Sequence, residues 1–250
     1  MKHINKTLGS PPFFATWVIS HGSILLSSGN SPTTIWDDFK SKHRSVYLQL
    51  KQHLVDEQGG ICAYCNQKIL NGSNTQIEHV KDKSLFISQI FDYTNLVACC
   101  LGGEKDPKPR ELYCGAQKNR YYQINNYTSL TTHPLSASCE TDIVCQLNGQ
   151  LKASSVNIQQ CIDEILGLNV AQFTNPSTGW RTSAISAVMY SNFLIYKLAL
   201  FQSNASLPKL VPITETEAAA KAAIFNNSTK PYTPFCKAIA DVLKKEFNLP

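Results

Sequence analysis

The sequence predicts an α+β protein, a small metal-clamped core of two short strands and a helix embedded in a mainly α-helical chain. Three observations lead there. Cys62-Ala63-Tyr64-Cys65 is a C-x-x-C turn placed one residue after Gly59-Gly60, with Cys99, Cys100 and Cys114 far downstream, as a closed all-thiolate site requires. Residues 75–80 read as a strand carrying the adjacent pair Glu78-His79, and the second half repeats apolar residues at helical spacing. With 250 residues the chain holds one large domain or two small ones. The expected division is an N-terminal segment and helix over 1–57, the metal-clamped core over 58–122, and an accessory hairpin with a helical subdomain over 123–250.

In chain order, the opening is rich in Pro, Gly and Ser and is expected to be irregular. Thr33 or Thr34 is then expected to cap one helix running through Trp36, Phe39, His43, Val46, Leu50 and Leu54 and ending near Gly59-Gly60. The C-x-x-C turn follows as a short knuckle, and Asn71-Gly72 marks a second turn. After the 75–80 strand, residues 92–100 read as the start of a helix interrupted by a basic loop over 102–109. Alternation over 141–151, with Asn148-Gly149 as a two-residue turn, predicts a hairpin. Helices are expected over 155–166, 179–202, 214–225 and 233–247, the last with Thr233 as cap and Pro234 in its first turn.

Composition excludes several classes. The net charge of +5 suits a local phosphate-binding patch and not a whole-surface polyanion binder. Nine cysteines, an odd number unevenly spread, do not form a secreted disulfide framework, so a cytoplasmic protein is expected. The longest apolar stretch, 184–201, contains Ser186, Ser191, Asn192 and Lys197, which argues against a membrane span. Without a glycine-rich phosphate loop, nucleotide binding by the chain itself is not expected, and any energy input would come from a partner.

Glu78-His79 has the residue types that phosphodiester hydrolysis needs. An imidazole accepts a proton from water, and a carboxylate holds a hard divalent cation such as magnesium. Neighbours on a strand face opposite ways, so either a bulge makes them converge or one acts from the strand's end. Asn95 is expected to fix the loop after His79 through its amide. Lys81, Lys83, Lys118 and Arg120, with Lys105, Lys108 and Arg110, form a candidate phosphate track. The competing readings are a buried or redox thiol pair for C-x-x-C, a structural histidine for His79, and a solvated loop for the lysines.

These motifs, with Gln58-Gly59-Gly60-Ile61, Tyr93-Thr94-Asn95-Leu96 and Cys114-Gly115-Ala116-Gln117-Lys118, resemble an HNH endonuclease with a ββα-metal core. The similarity is closest to the PtuB-type HNH subunit of Septu and retron-linked antiphage systems. Met1-Lys2-His3-Ile4-Asn5-Lys6, Ile165-Leu166-Gly167-Leu168-Asn169 and Arg181 resemble that group's flanks. The resemblance implies His79 as general base, Glu78 as ligand of a catalytic Mg2+ or Mn2+, Asn95 as the central asparagine, and structural Zn2+ on Cys62, Cys65, Cys100 and Cys114. Cys99 competes with Cys100 for the third zinc position. It further implies a PtuA-like SMC- or ABC-type ATPase as partner, a retron reverse transcriptase and its multicopy DNA as a possible controller, and DNA or RNA, transfer RNA included, as substrate.

The chain departs from the pattern at Gly115, where many such proteins carry a His or Asn that completes the catalytic metal site. Gln117, Asn119 or water is expected to stand in. The same departure sustains a rival from another class, a zinc-stabilised adaptor module that recruits an ATPase. Ile185, Val188, Met189, Asn192 and Tyr196 recur at helical spacing, as either a core stripe or a docking face would.

Overall fold

The computed structural model describes residues 1–6, 9–70, 72–104, 111–125, 129–176, 179–189, 211–226, 232 and 234–249. Lys105, Lys108 and Arg110 lie outside these residues. The opening is ordered helix where irregular chain was expected. α1 (Pro12–Trp17), a π-helical turn (Val18–Gly22) and α2 (Ser23–Leu26) follow one another without a break. Pro11 is extended and Pro12 takes the first helical position, where a missing N–H costs nothing. Phe14 and Trp17, three residues apart, bury one face of this helix against Phe39.

The single helix expected from Thr33 onward is two helices, α3 (Pro32–Lys42) and α4 (Arg44–Glu57). Ser31 caps α3, its side chain accepting from the Thr34 N–H at 3.1 Å, and Pro32 opens it. The helical path breaks at His43, at φ −116° and ψ 38°. This turn lets two apolar stripes, Ile35, Trp36 and Phe39 on α3 and Leu50 and Leu54 on α4, close on the same core.

Left-handed Gly59 and Gly60, at φ 65° and 78°, end α4 and turn the chain into the knuckle. There Cys62 N–H donates to Gln67 O at 2.8 Å, Ile69 N–H donates to Gly60 O at 2.9 Å, and left-handed Asn66 closes the turn. Gln58 fastens the knuckle to the sheet. Its amide donates to the Ile61 and Ala98 carbonyls at 3.0 and 2.8 Å and accepts from the Ala98 N–H at 2.6 Å, all in the buried interior.

β1 (Thr75–His79) pairs antiparallel with β2 (Leu96–Cys100), placing Glu78 opposite Val97 and His79 opposite Leu96. The helix expected to begin at Asp92 is instead a single 3-10 turn, Tyr93–Asn95, followed by this strand. Asp92 caps the turn, accepting from the Thr94 N–H at 2.9 Å, and the buried apolar run from Leu96 to Cys100 then pairs with β1. α5 (Cys114–Asn125) follows, so two strands and a helix stand in sequence around the knuckle.

Farther on, β3 (Ile143–Cys145) and β4 (Leu151–Ala153) form the expected hairpin. Its loop is three residues, 147–149, and not two. Gly149 N–H donates to Gln146 O, Gln146 N–H donates to Gln150 O, and Gly149 takes the left-handed position at φ 79°. Ser155 caps Val156–Gln160, which continues as a π-helical turn to Ile165. The helix expected over 179–202 is described as Trp180–Met189, with the remainder, Asn192 and Tyr196 included, outside the described residues. Ile185 and Met189 are buried core.

Thr214 and Glu217 form a reciprocal capping box on Glu215–Asn226. The last helix starts at Cys236, later than expected, because Phe235 is left-handed at φ 58° and Pro234 therefore precedes the helix. Thr233 lies outside the described residues. Buried apolar residues from Phe14 to Leu243 join one cluster, to which Cys139, Cys145 and Cys161 belong. Among the described residues, no helix is long and apolar enough to cross a membrane.

Gln58→Leu keeps the volume of the side chain but strips the buried Ala98 N–H of its acceptor. It should cost about 2–3 kcal/mol in urea unfolding. A loss below about 1 kcal/mol would show that β2 does not rely on this bridge.

Candidate functional site

The four cysteines come from three separate places: the knuckle gives Cys62 and Cys65, the end of β2 gives Cys100, and the start of α5 gives Cys114. Their sulfurs lie within 4.8 Å of one another and all are buried. Cys62 Sγ stands 3.7 Å from Cys100 Sγ and 3.9 Å from Cys114 Sγ, and Cys65 Sγ stands 4.0 Å from Cys100 Sγ. Zn–S bonds of about 2.3 Å in a tetrahedron place sulfurs about 3.8 Å apart, so this donor set fits zinc without rearrangement. Cys99 Sγ also approaches Cys62, at 3.8 Å, but does not join the mutual cluster, to which Cys100 belongs.

The Cys100 N–H donates to Cys62 Sγ at 3.4 Å, support that a metal-bound thiolate commonly receives from the backbone. Burial pushes the Cys65 and Cys114 thiols up. At Cys62 burial acts in the same direction but is outweighed by the sulfur contacts around it, which bring that thiol well below its usual value. Buried Arg181, its guanidinium donating to the Gly149 and Leu168 carbonyls at 2.7 and 3.0 Å, adds a positive charge that interacts with Cys65 and Cys114.

β1 carries Glu78 and His79 without a bulge, and His79 is its last residue. The pair is therefore resolved by the strand's end. Both side chains are buried and both line a cleft of about 150 Å³ with Trp36, Gln76, Asp82 and Lys118. His79 Nε2 stands 3.0 Å from Ile90 O. A carbonyl only accepts, so Nε2 carries the proton and Nδ1 keeps the lone pair. The Trp36 ring packs edge-on at 4.5 Å and fixes the imidazole plane. Burial lowers the His79 pKa to about 3 against the opposing bond to Ile90, with Lys118 and Lys83 adding to the fall, so the ring is neutral at neutral pH.

Asn95, also buried, binds the backbone on the far side of the loop after His79. Its Oδ1 accepts from the Lys81 N–H at 2.7 Å, and its Nδ2 donates to the Lys81 and Gln89 carbonyls at 3.2 and 3.3 Å. The Val80 N–H donates to Asn95 O at 2.9 Å.

The candidate phosphate track divides. Lys81 and Arg120 are exposed, and Lys83 is half-buried where the cleft meets a larger groove of about 330 Å³ that also shares Asp82 and Asn119. Lys118 is 1% exposed and lies on no surface track. Its ammonium pairs with the Glu78 carboxylate and donates to the His79 carbonyl. Of the two residues expected to replace a ligand at Gly115, Asn119 lines the cleft, while Gln117 turns away to donate to Glu164 O at 2.7 Å.

Gly115 itself lies against Glu78: a Cβ there would stand 2.8 Å from Oε2. A cation suits this carboxylate, since the ammonium already stands in for one and the buried Gln76 Nε2 end has no hydrogen-bond partner, so the amide is free to present its oxygen instead. One carboxylate with water and phosphate oxygens is an ordinary magnesium environment. The pairing of Lys118, the bridge made by Gln58 and the packing of Trp36 were not readable from spacing, because each partner lies roughly forty residues away or on another element.

No protein-family model matches the chain. Over 137 residues it is 29% identical to an Escherichia coli protein described as "Retron Ec83 putative HNH endonuclease", an alignment covering 50% of this chain and 48% of the relative. The chain spans about half the length of the curated relative it matches.

Metal analysis of the purified protein should give one zinc per chain. Cys62→Ser, Cys65→Ser, Cys100→Ser and Cys114→Ser should each lose it, with a marked fall in melting temperature, while Cys99→Ser retains it. Full zinc in Cys100→Ser would reassign the third ligand.

Proposed function

We propose that this chain is a zinc-stabilised HNH-type endonuclease that hydrolyses phosphodiester bonds of DNA or RNA. The observation that carries the reading is His79, a neutral imidazole held by Ile90 O and Trp36 at the end of β1, next to the Glu78 carboxylate in a polar cleft.

In the reaction, a water in the cleft gives its proton to His79 Nδ1 as its oxygen forms the new bond to phosphorus. The bond to the leaving oxygen breaks, and that oxygen takes up a proton. Glu78 and Asn119 are the residues to hold a Mg2+ or Mn2+, which when bound neutralises charge on the scissile phosphate. Asn95 keeps the loop bearing Lys81 and Lys83 in register with His79. Lys81, Lys83 and Arg120 contact flanking phosphates and position the strand without reading sequence.

The likeness to a retron-associated protein supports an effector role in bacterial antiphage defence. There a PtuA-like ATPase and a retron reverse transcriptase with its multicopy DNA would control the nuclease. The second reading, a zinc-stabilised adaptor with a silent site, is favoured by two features: Gly115 offers no ligand, and Lys118 already pairs with Glu78.

Cleavage of plasmid DNA and total RNA with Mg2+ or Mn2+, with and without the neighbouring ATPase, separates the two readings. Wild-type protein should cut, and His79→Ala should lose at least about 100-fold in rate with zinc content and melting unchanged. Retained cutting in His79→Ala removes His79 as base, and a wild type inert under every condition leaves the adaptor.

A further inference from the structure

Lys118 is a cation placed where electrostatics discourage one unless it is matched. An isolated ammonium at 1% exposure is costly, and such side chains persist when paired and hydrogen-bonded. Both conditions hold here, and both partners belong to the functional strand: the carboxylate of Glu78 and the main-chain carbonyl of His79. The approach is built into α5. Gly115, three positions earlier on that helix, has no side chain, and a Cβ would crowd the same carboxylate at 2.8 Å from Oε2. The missing side chain leaves the near side of Glu78 open to the lysine one turn on.

We propose that Lys118 is the resident counter-charge of Glu78 and that a divalent cation binds this carboxylate only by displacing it, so that Lys118 sets the metal affinity of the cleft. The inference rests on the reading of Glu78 as the cation ligand. A carboxylate neutralised by an ammonium in contact attracts a second cation weakly, and its two oxygens cannot serve both at full strength. Lys83 also lines the cleft, and Lys40 there is paired with Asp37 at 2.6 Å, so Lys83 and Lys118 already match the charges of Glu78 and Asp82, a balance that disfavours a free divalent ion. An incoming phosphate shifts that balance. Its negative charge draws off the displaced ammonium and supplies oxygens to the ion, so nucleic acid and metal bind more tightly together than either alone. Lys118 therefore acts as a positioning residue that holds the site closed to metal until substrate arrives.

The test is Mn2+ binding to the zinc-loaded protein, followed by electron paramagnetic resonance. Lys118→Met should bind Mn2+ at least about tenfold more tightly than wild type, and Lys118→Arg, which keeps the charge, should stay weak. Glu78→Gln in the Lys118→Met background should abolish the gain. Equal or weaker binding by a folded Lys118→Met overturns the proposal.

Should the Met variant fail to fold, reductive dimethylation of the wild type gives an independent answer. The Lys118 amine should be protected without divalent ion and become reactive at saturating Mn2+, and continued protection there overturns the proposal. Both readouts are of ion binding. A protein that shows the tightening yet never cuts nucleic acid refutes the nuclease reading alone, and a wild type that cuts while Lys118→Met binds Mn2+ unchanged refutes this inference alone.

Discussion

Four buried sulfurs drawn from a turn, a strand end and a helix start are the constraint on which the rest of the molecule depends. They bring these three segments to one point. Without a metal, four thiols within 4.8 Å of one another would be joined only by weak S–H hydrogen bonds. With zinc bound, the same geometry fixes β2 against the knuckle and aims α5 from a defined origin. Cys114, at φ 55°, lies in a left-handed conformation that a non-glycine residue adopts only when its surroundings enforce it.

From that anchor the cleft beside Glu78 and His79 follows by simple geometry. β1 lies beside β2 in regular register, so its last two residues diverge, one carboxylate toward α5 and one imidazole toward α3. The divergence sorts two adjacent residues into two environments. Glu78 meets an ammonium from α5, whereas His79 meets an indole edge and a carbonyl that leave it neutral. Gln58 at the middle of β2 and Asn95 at the loop after β1 work by the same means, each amide donating and accepting against backbone so that its donors and acceptor are used.

What could be read from the sequence was whatever depends on close spacing. The C-x-x-C knuckle, the strand with Glu78-His79 and the helix beginning near Thr214 each announce themselves within a few residues. The β2 strand was hidden because Asp92-Tyr93-Thr94-Asn95 has the composition of a helix cap, and five residues buried on both faces show no alternation. The break at His43 is set by how α3 and α4 share a core, which no local rule encodes. Lys118 was read as part of a phosphate track because its partner lies forty positions upstream, and only the folded chain brings the two together.

Gly115 has a consequence for how sequences of this fold can vary. Positions 115 and 118 lie one helical turn apart and reach for the same carboxylate from the same side. A ligating side chain at 115 and an ammonium from 118 cannot both occupy it, so the two positions are alternatives. Changing Gly115 to histidine would meet the Glu78 carboxylate already engaged and 2.8 Å from the new Cβ, and would succeed only where a smaller or apolar residue at 118 leaves that carboxylate free to shift. The pair should therefore drift as a unit, with glycine accompanying lysine in one lineage and a ligand accompanying a non-basic residue in another.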